Sequence, residues 1–257
     1  MTTPSAPDSP ATKGSSSATD PVERARQRLI VALDASSKAL ALQMVDRLQG
    51  TCHWMKVGLE LFTAAGPGIV GELASRGYSV FLDLKFHDIP NTVAGAVRSG
   101  ASLGARLMTL HALGGPAMLT AAHEALAGMS HPPELLAVTV LTSMDAAQLK
   151  AIGVESPPAA QVERLARMGI EAGLRGFVCS PEEVGTLRGL TGPDGVLVIP
   201  GIRPAGAAVG DQKRISTPAH ALRSGASYLV VGRPLTQSPD PASAANAILR
   251  EMAQQNG

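Results

Sequence analysis

Cysteine and aromatic side chains are scarce in this 257-residue chain, which has two cysteines and an aromatic content of 3%. Cys52 and Cys179 stand far apart and form no C-x-x-C pair, so we interpret them as small buried hydrophobic residues in a reducing compartment. So few aromatic rings argue against a stacking platform for single-stranded nucleic acid. The net charge of +1 provides no bulk field that would attract nucleic acid or anionic lipid. The sequence therefore predicts neither a nucleic-acid partner nor a membrane partner.

Long apolar runs are also missing from the sequence. No run reaches the ~18 residues that a membrane helix needs. The N-terminus lacks the basic-then-apolar pattern of a secretory signal. We therefore expect a cytoplasmic protein.

The N-terminal segment differs in composition from the rest of the chain. Residues 1–20 are mostly Ser, Thr, Ala and Pro without periodicity, so they lack the apolar surface that would offset the entropy of ordering. We predict a disordered tail over residues 1–25. The chain as a whole is 45% hydrophobic, which is ample for one large core, and we predict a single domain over residues 26–257.

From about residue 28, apolar runs of strand length alternate with amphipathic stretches of helix length. This alternation favours a parallel sheet, and eight repeats favour a closed (β/α)8 barrel over an open doubly wound sheet. We predict strands over residues 29–34, 53–58, 79–84, 106–111, 135–141, 176–179, 196–199 and 227–231. The helices predicted between them include residues 37–49, 90–103, 115–127, 159–172 and 241–254.

Polar side chains stand at or just after the ends of seven of the predicted strands. Because catalytic groups of such barrels lie at the carboxyl ends of the strands, we expect these side chains to converge on one rim. The densest group follows the third strand, and because unpaired charges are costly to remove from water, we interpret it as a reactive site. The residues at the rim are Asp34, Lys56, Asp83, Lys85, Asp88, His111, Thr142, Ser143, Arg203 and Arg233.

The sequence contains no Cys/His ligand cluster and no H-x-H or H-E-x-x-H spacing of the kinds that hold a zinc ion. We interpret His111 as a hydrogen-bonded core histidine. For His87 we expect a supporting or surface role.

The loops after the last two strands predict a phosphate site. Gly201 and Gly232 allow the backbone to approach an anion closely, and Arg203 and Arg233 supply forked donors that suit phosphate. Loops after strands seven and eight of such barrels often bind phosphate. Residues 205–215, with Gln212 near the end, form a long polar segment that we interpret as a lid.

Residues 83–92, with the sequence DLKFHDIPNT, resemble the signature of the orotidine 5′-monophosphate decarboxylase family. The D-x-K-x-x-D core of this stretch is shared with sister barrels, whereas the full stretch together with the paired arginine motifs is highly specific. Further segments resemble the same family in the right order, and the resemblance covers nearly everything after the tail. These segments are residues 31–34, 56–58, 140–143, 200–204, 210–212 and 231–234.

The resemblance implies an enzyme that converts orotidine 5′-monophosphate to UMP and carbon dioxide, the last step of de novo pyrimidine synthesis, without metal or organic cofactor. Lys85 would stabilise the carbanion formed at C6 and deliver a proton to it. Asp83 would face the departing carboxylate. Lys56 and Asp88 would complete an alternating row of charges that keeps Lys85 protonated and aimed.

The resemblance also assigns substrate contacts. Asp34 would hold a ribose hydroxyl, Thr142 would lie near the pyrimidine, and Gln212 would link the lid to the phosphate end. Arg203 and Arg233, with Gly232, would hold the phosphate. The family's equivalents of Asp88 and Thr92 reach into the neighbouring subunit's site, so the resemblance implies a homodimer with shared active sites.

Two alternatives stay open. Sister enzymes on the same barrel, the 3-keto-L-gulonate 6-phosphate decarboxylases and hexulose-phosphate synthases, use magnesium and would need an additional acidic ligand, for which Glu60 is the nearby candidate. A non-catalytic barrel that binds nucleotide phosphate would keep Arg203 and Arg233 but would not need Lys85 between carboxylates. The intact charge row argues against this second alternative.

Overall fold

The computed structural model describes residues 20–204 and 216–254. Within these ranges, parallel strands pair in chain order, and the eighth pairs with the first, so that they close a barrel. This confirms the predicted (β/α)8 fold. The strands are β1 (Leu29–Ala32), β2 (Trp54–Gly58), β3 (Ser79–Phe86), β4 (Ala105–His111), β5 (Glu134–Val138), β6 (Gly176–Val178), β7 (Val196–Ile199) and β8 (Tyr228–Val231).

Helices surround the barrel and connect its strands. Several begin with the N-terminal signals that their sequences carry, such as Ser37, whose hydroxyl accepts from the backbone N–H of Leu40. The helices are α1 (Pro21–Arg26), α2 (Lys38–Arg47), α3 (Leu59–Ala65), α4 (Gly68–Ser75), α5 (Pro90–Ser102), α6 (Gly115–Glu124), α7 (Ala146–Ala151), α8 (Pro158–Glu171), α9 (Val184–Thr191), α10 (Pro218–Arg223), α11 (Arg233–Thr236) and α12 (Pro241–Ala253). A short 3-10 helix, Ala112–Gly114, follows β4.

The core has two layers because successive side chains of each strand point to opposite faces. The larger layer fills the space between strands and helices. The smaller layer fills the barrel interior and includes Ile30, Trp54, Phe81, Leu107, Leu136 and Val230. Towards the carboxyl ends of the strands the interior positions become polar, with Lys56 two residues after Trp54 and Asp83 two residues after Phe81. The apolar interior thus supports a charged rim from below.

The predicted tail is too long at its C-terminal end. Pro21–Arg26 forms α1, whose N-terminus is capped by the Asp20 carboxylate accepting from the N–H of Val22 at 3.0 Å. Ala25 is fully buried, so residues 21–25 belong to the folded part. The prediction of disorder for residues 1–19 lies outside the described residues.

Both cysteines are buried, which confirms their interpretation as small core residues. Burial raises the pKa of the Cys52 thiol to about 11, so this side chain stays protonated and unreactive near neutral pH. Among the helices that the structure describes, none is long and apolar enough to cross a membrane.

Candidate active site

A cavity of about 860 Å³ opens at the carboxyl ends of the strands. Its floor is the upper surface of the interior layer, including Ala32, Phe81, Val198 and Val230. Most of the rim residues that the sequence singled out line its walls. These are Asp34, Lys56, Asp83, Lys85, Thr142, Ser143, Gly201, Arg203, Gly232 and Arg233.

Four side chains from the first three β/α units form a continuous row of alternating charge, which we call the charged row: Asp34, Lys56, Asp83 and Lys85. The Lys56 ammonium donates to Asp34 Oδ1 at 3.1 Å and lies 3.6 Å from Asp83 Oδ2. The Lys85 ammonium donates to the other oxygen, Asp83 Oδ1, at 2.8 Å. Each carboxylate oxygen of Asp83 therefore faces a different lysine.

The row becomes more buried from Asp34 towards its centre. The side chain of Asp34 is 58% exposed, whereas those of Lys56 and Asp83 are 11% and 14% exposed. The Lys85 side chain, at 31%, is accessible from the cavity. An ammonium that is aimed into a cavity and fixed by a buried carboxylate can interact with a bound substrate without first shedding a full hydration shell.

Asp83 is ionised despite its burial. Burial by itself raises the pKa of this carboxyl, but the charges of Lys56 and Lys85, with hydrogen bonds from Lys85 and Thr109, outweigh it and hold the pKa below its ordinary value. The centre of the row is thus a carboxylate with a lysine on either side.

Thr109 is a site residue that the sequence analysis missed. Its hydroxyl donates to Asp83 Oδ1 at 3.0 Å and accepts from the backbone N–H of Lys85 at 2.8 Å, and the residue is fully buried. A signal for it does exist in the sequence, because Thr109 precedes His111 by two residues and so shares its face of β4.

Arg203 and Arg233 line the cavity after β7 and at the start of α11, and the strand before Arg233, β8, pairs with β1 beside the Asp34 end of the charged row. Arg203 is buried, and its guanidinium donates to the carbonyl of Ile202 at 2.9 Å. Burial lowers the pKa of Arg203, and the nearby charge of Arg233 lowers it further. Gly201 has a φ of 74°, a backbone conformation that favours glycine. The predicted pair of arginines therefore meets at one end of the cavity.

The predicted lid and Gln212 lie outside the described residues, which resume at Ser216. The described residues on either side of this gap are paired, because Ile202 and Ser216 form a parallel bridge and the N–H of Arg203 donates to the carbonyl of Ser216 at 2.9 Å.

Asp88 and Thr92 do not join the other predicted site residues in this chain. Both side chains are exposed, and neither lines the cavity. The Asp88 carboxylate accepts from the N–H of Ile89 at 2.6 Å at the start of α5, where Pro90 occupies the first helical turn. Within a single chain, the charged row therefore ends at Lys85.

His111 and His87 pack against each other beside the row. Their rings are stacked with centroids 5.4 Å apart, and His111 Nδ1 accepts from the N–H of Leu113 at 3.4 Å. Partial burial, followed by the charges of His87 and Lys85, lowers the pKa of His111. His111 is hydrogen-bonded, as predicted, but as the last residue of β4 it is half-buried and does not belong to the core. His87 is exposed.

Glu60 lines the outer part of the cavity and is exposed. Over residues 20–204 and 216–254, no group of three or more His, Cys, Asp or Glu side chains is arranged to hold a metal ion.

Comparisons with known proteins identify the family of the chain. A family model described as orotidine 5'-phosphate decarboxylase / HUMPS family matches residues 27–248. A relative from Opitutus terrae, named orotidine 5'-phosphate decarboxylase, is 53% identical over 226 residues, covering 87% of this chain and 97% of the relative. A relative of the same name from Nitrosococcus oceani is 51% identical over 228 residues, covering 89% of this chain and 98% of the relative.

A solved structure supports the same assignment. The crystal structure of orotidine 5'-phosphate decarboxylase from Lactobacillus acidophilus matches with a TM-score of 0.77 and 41% sequence identity, covering 88% of this chain and 99% of that one. With a family model that spans nearly the whole barrel and relatives that match almost end to end, this chain belongs to the orotidine 5'-phosphate decarboxylase / HUMPS family.

Proposed function

We propose that this chain decarboxylates orotidine 5′-monophosphate to UMP and carbon dioxide, the last step of pyrimidine nucleotide synthesis, and that Lys85 supplies the proton. Family membership and the relatives' shared name support the reaction. The observation that carries the residue assignment is the Lys85 ammonium, held 2.8 Å from Asp83 and accessible from a cavity that two arginines also line.

The chemical difficulty is the negative charge left at C6 of the pyrimidine when carbon dioxide departs. The proposed reaction uses no cofactor to delocalise this charge, so the protein must offer a positive group already in place. Lys85 fits this role because Asp83 and the backbone fix its position before substrate binds. The same ammonium then transfers a proton to C6 and completes UMP.

Asp83 would lie against the substrate carboxylate. Its lowered pKa keeps it charged, so a second carboxylate beside it would be repelled, and this repulsion would be relieved as carbon dioxide leaves. Lys56 neutralises part of the charge of Asp83 and connects it to Asp34. We assign Asp34 to a ribose hydroxyl because its side chain is the exposed end of the row.

The phosphate would bind between Arg203 and Arg233. Two guanidinium groups close enough for one to lower the pKa of the other repel each other, and a phosphate dianion would offset that repulsion through charge-assisted hydrogen bonds. Gly201 and Gly232 allow the backbone to approach this anion, Thr142 would contact the pyrimidine, and Gln212 would connect the lid to the phosphate end. Binding energy gained far from C6 can organise the reacting groups.

We further propose a cytoplasmic homodimer with shared active sites. Three large apolar side chains are exposed on consecutive units of the rim: Leu59 (59%), Ile89 (67%) and Leu113 (40%), after β2, β3 and β4. Exposed apolar residues grouped beside a polar rim are typical of an interaction surface. A second copy packed there would cover Ile89 and bring the adjacent Asp88 and Thr92 towards the partner's cavity.

An assay of UMP formation tests the reaction. Loss of absorbance from orotidine 5′-monophosphate would be followed with and without excess EDTA. We expect equal turnover in both conditions. Turnover that EDTA abolishes would favour the magnesium-dependent sister enzymes, with Glu60 as the candidate additional ligand. Tight UMP binding without any turnover would favour a non-catalytic phosphate-binding barrel.

Mixed dimers test the shared site. Lys85→Ala and Asp88→Ala subunits should each be inactive alone, whereas a mixed dimer would hold one doubly altered site and one intact site. We expect activity to reappear on mixing. If subunit exchange is demonstrated and no activity appears, Asp88 acts within its own chain.

A further inference from the structure

Strand β3 contains an irregularity at the centre of the charged row. The pairing with β4 is regular at Leu82 with Met108 and resumes at Phe86 with Leu110. Residues 83–85 of β3 therefore lie opposite a single residue of β4, Thr109. Such bulges re-aim side chains next to active sites and leave backbone groups without their usual ladder partner.

The backbone of Lys85 lies in the left-handed region, with a φ of 51°. This conformation is unfavourable for a lysine and persists only where surrounding contacts over-determine it. One such contact is the backbone N–H of Lys85, which donates to Thr109 Oγ1 at 2.8 Å. The hydroxyl thus takes the place of the strand partner that the bulge displaces.

The same hydroxyl also fixes the carboxylate that aims Lys85. Its proton points to Asp83 Oδ1 at 3.0 Å, and that oxygen is also the one that accepts from the Lys85 ammonium at 2.8 Å. A hydroxyl has one proton to donate and lone pairs to accept, so these two bonds use it in both directions. Thr109 is fully buried, so water cannot easily replace it.

We propose that Thr109 is a positioning residue for the decarboxylation, whose hydroxyl holds the Lys85 backbone and the Asp83 carboxylate in the one arrangement that presents the ammonium to C6. This inference rests on the proposed role of Lys85. Thr109 itself does not touch the substrate; it acts through the two residues on either side of the bulge.

Two pairs of variants isolate the hydroxyl. Wild type and Thr109→Val differ by a hydroxyl exchanged for a methyl group of similar size, and Thr109→Ser and Thr109→Ala differ by the hydroxyl alone. We expect kcat to fall roughly tenfold or more from the first to the second member of each pair. The second member lacks the hydroxyl and so loses the hydrogen bonds to the Asp83 carboxylate and to the buried N–H of Lys85. KM should change by much less. The second pair gives the test even if Thr109→Val does not fold.

The pH profile gives a readout that a purely structural role would not move. A hydrogen bond to the ionised carboxylate contributes to the lowered pKa of Asp83, so its removal should raise that pKa. The acidic limb of kcat/KM should then move to higher pH in Thr109→Val and Thr109→Ala, and stay near the wild-type position in Thr109→Ser.

Thr139→Val is the matched control. Thr139 is also fully buried, and its hydroxyl donates to the backbone carbonyl of Val178 at 3.2 Å without touching the charged row. If Thr109→Val loses no more activity than this control, or if serine is no better than alanine at position 109, the inference is wrong. Lys85→Ala distinguishes a wrong role for Lys85 from a wrong role for Thr109. If Lys85→Ala is active, the proposed role of Lys85 is refuted. If Lys85→Ala is inactive and Thr109→Val is fully active, only the role of Thr109 is refuted.

Discussion

Gly58, the last residue of β2, leaves room for the Lys56 ammonium. A Cβ atom added at Gly58 would lie 2.8 Å from Lys56 Nζ and 3.6 Å from Asp34 Oδ1. To restore ordinary van der Waals contact, the ammonium must retreat by about 0.6 Å, from 2.8 to 3.4 Å. Lys56 is buried against Asp34 and Asp83, so any retreat changes its distances to both carboxylates. The change Gly58→Ala therefore perturbs the charged row without removing any of its members.

The cost to stability should be small. Gly58 has extended backbone angles that any residue adopts, and the atom in the way is the end of a flexible side chain. Alanine also reduces the entropy of the unfolded chain, which contributes about 0.4–1 kcal/mol in its favour. We expect the free energy of unfolding to change by less than about 1 kcal/mol, and Tm to move by no more than about 4 °C.

The cost to activity should be much larger. A displacement on the order of 1 Å at an active site can reduce the rate about a hundredfold, so a shift about half as large at a neighbour of the reacting group should cost roughly tenfold in kcat/KM, or about 1.4 kcal/mol of transition-state stabilisation. The assay would follow UMP formation, with Tm measured on the same samples.

Gly71→Ala is the control for this change. Gly71 lies in α4, and a Cβ there would meet nothing within 4 Å. It should leave kcat/KM unchanged. The reasoning fails if Gly58→Ala is as active as this control, or if its loss of activity merely follows a large loss of stability.

Three further predictions concern the phosphate end, pH and packing. Arg233→Ala should reduce kcat/KM for orotidine 5′-monophosphate by roughly a hundredfold because it removes charge-assisted hydrogen bonds. With orotidine, which has no phosphate, the difference in kcat/KM between this variant and wild type should be smaller. A difference as large as with orotidine 5′-monophosphate would refute the assignment. The lowered pKa of Asp83 contributes stability that is present above its ordinary value of 3.8 and is lost as the pH falls through the lower folded-state value. In urea titrations, the stability of wild type relative to Asp83→Asn should therefore decrease on acidification below pH 3.8, and an increase would contradict the lowered pKa. Gly176→Ala should destabilise the barrel by about 2 kcal/mol or more, since its Cβ would lie 2.5 Å from the backbone carbonyl oxygen of Leu135; an unchanged denaturation midpoint would show that the strands adjust.

The fold could be predicted from sequence because strands buried on both faces give uninterrupted apolar runs, and the helices between them are amphipathic. Strand β7 was predicted with its observed bounds, Val196–Ile199. The fifth strand was predicted to continue to residue 141 but ends at Val138, because apolar composition does not reveal where ladder pairing stops. Helix α1 was not predicted, although Asp20 is an N-cap residue and Pro21 a first-turn proline. The Ser-, Thr-, Ala- and Pro-rich composition of the preceding residues led us to extend the predicted disorder over it.

For the site, the sequence predicted some of the residues and missed others. Charged residues such as Lys56, Asp83 and Lys85 were identifiable because few reasons other than chemistry place charges at the ends of buried strands. Thr109 escaped notice because threonine is an ordinary strand residue, and only the bulge in β3 makes its hydroxyl a partner of two site residues. The exposed position of Asp88 depends on the loop before α5, which no periodicity describes.

The central claim is that the Lys85 ammonium protonates C6, and Lys85→Ala tests it most directly. UMP formation would be measured beside UMP affinity by calorimetry, with Lys150→Ala, an exposed lysine of α7, as the control. We expect Lys85→Ala to bind UMP detectably and to form no measurable product, while the control matches wild type. A Lys85→Ala variant with near-normal kcat would contradict the account.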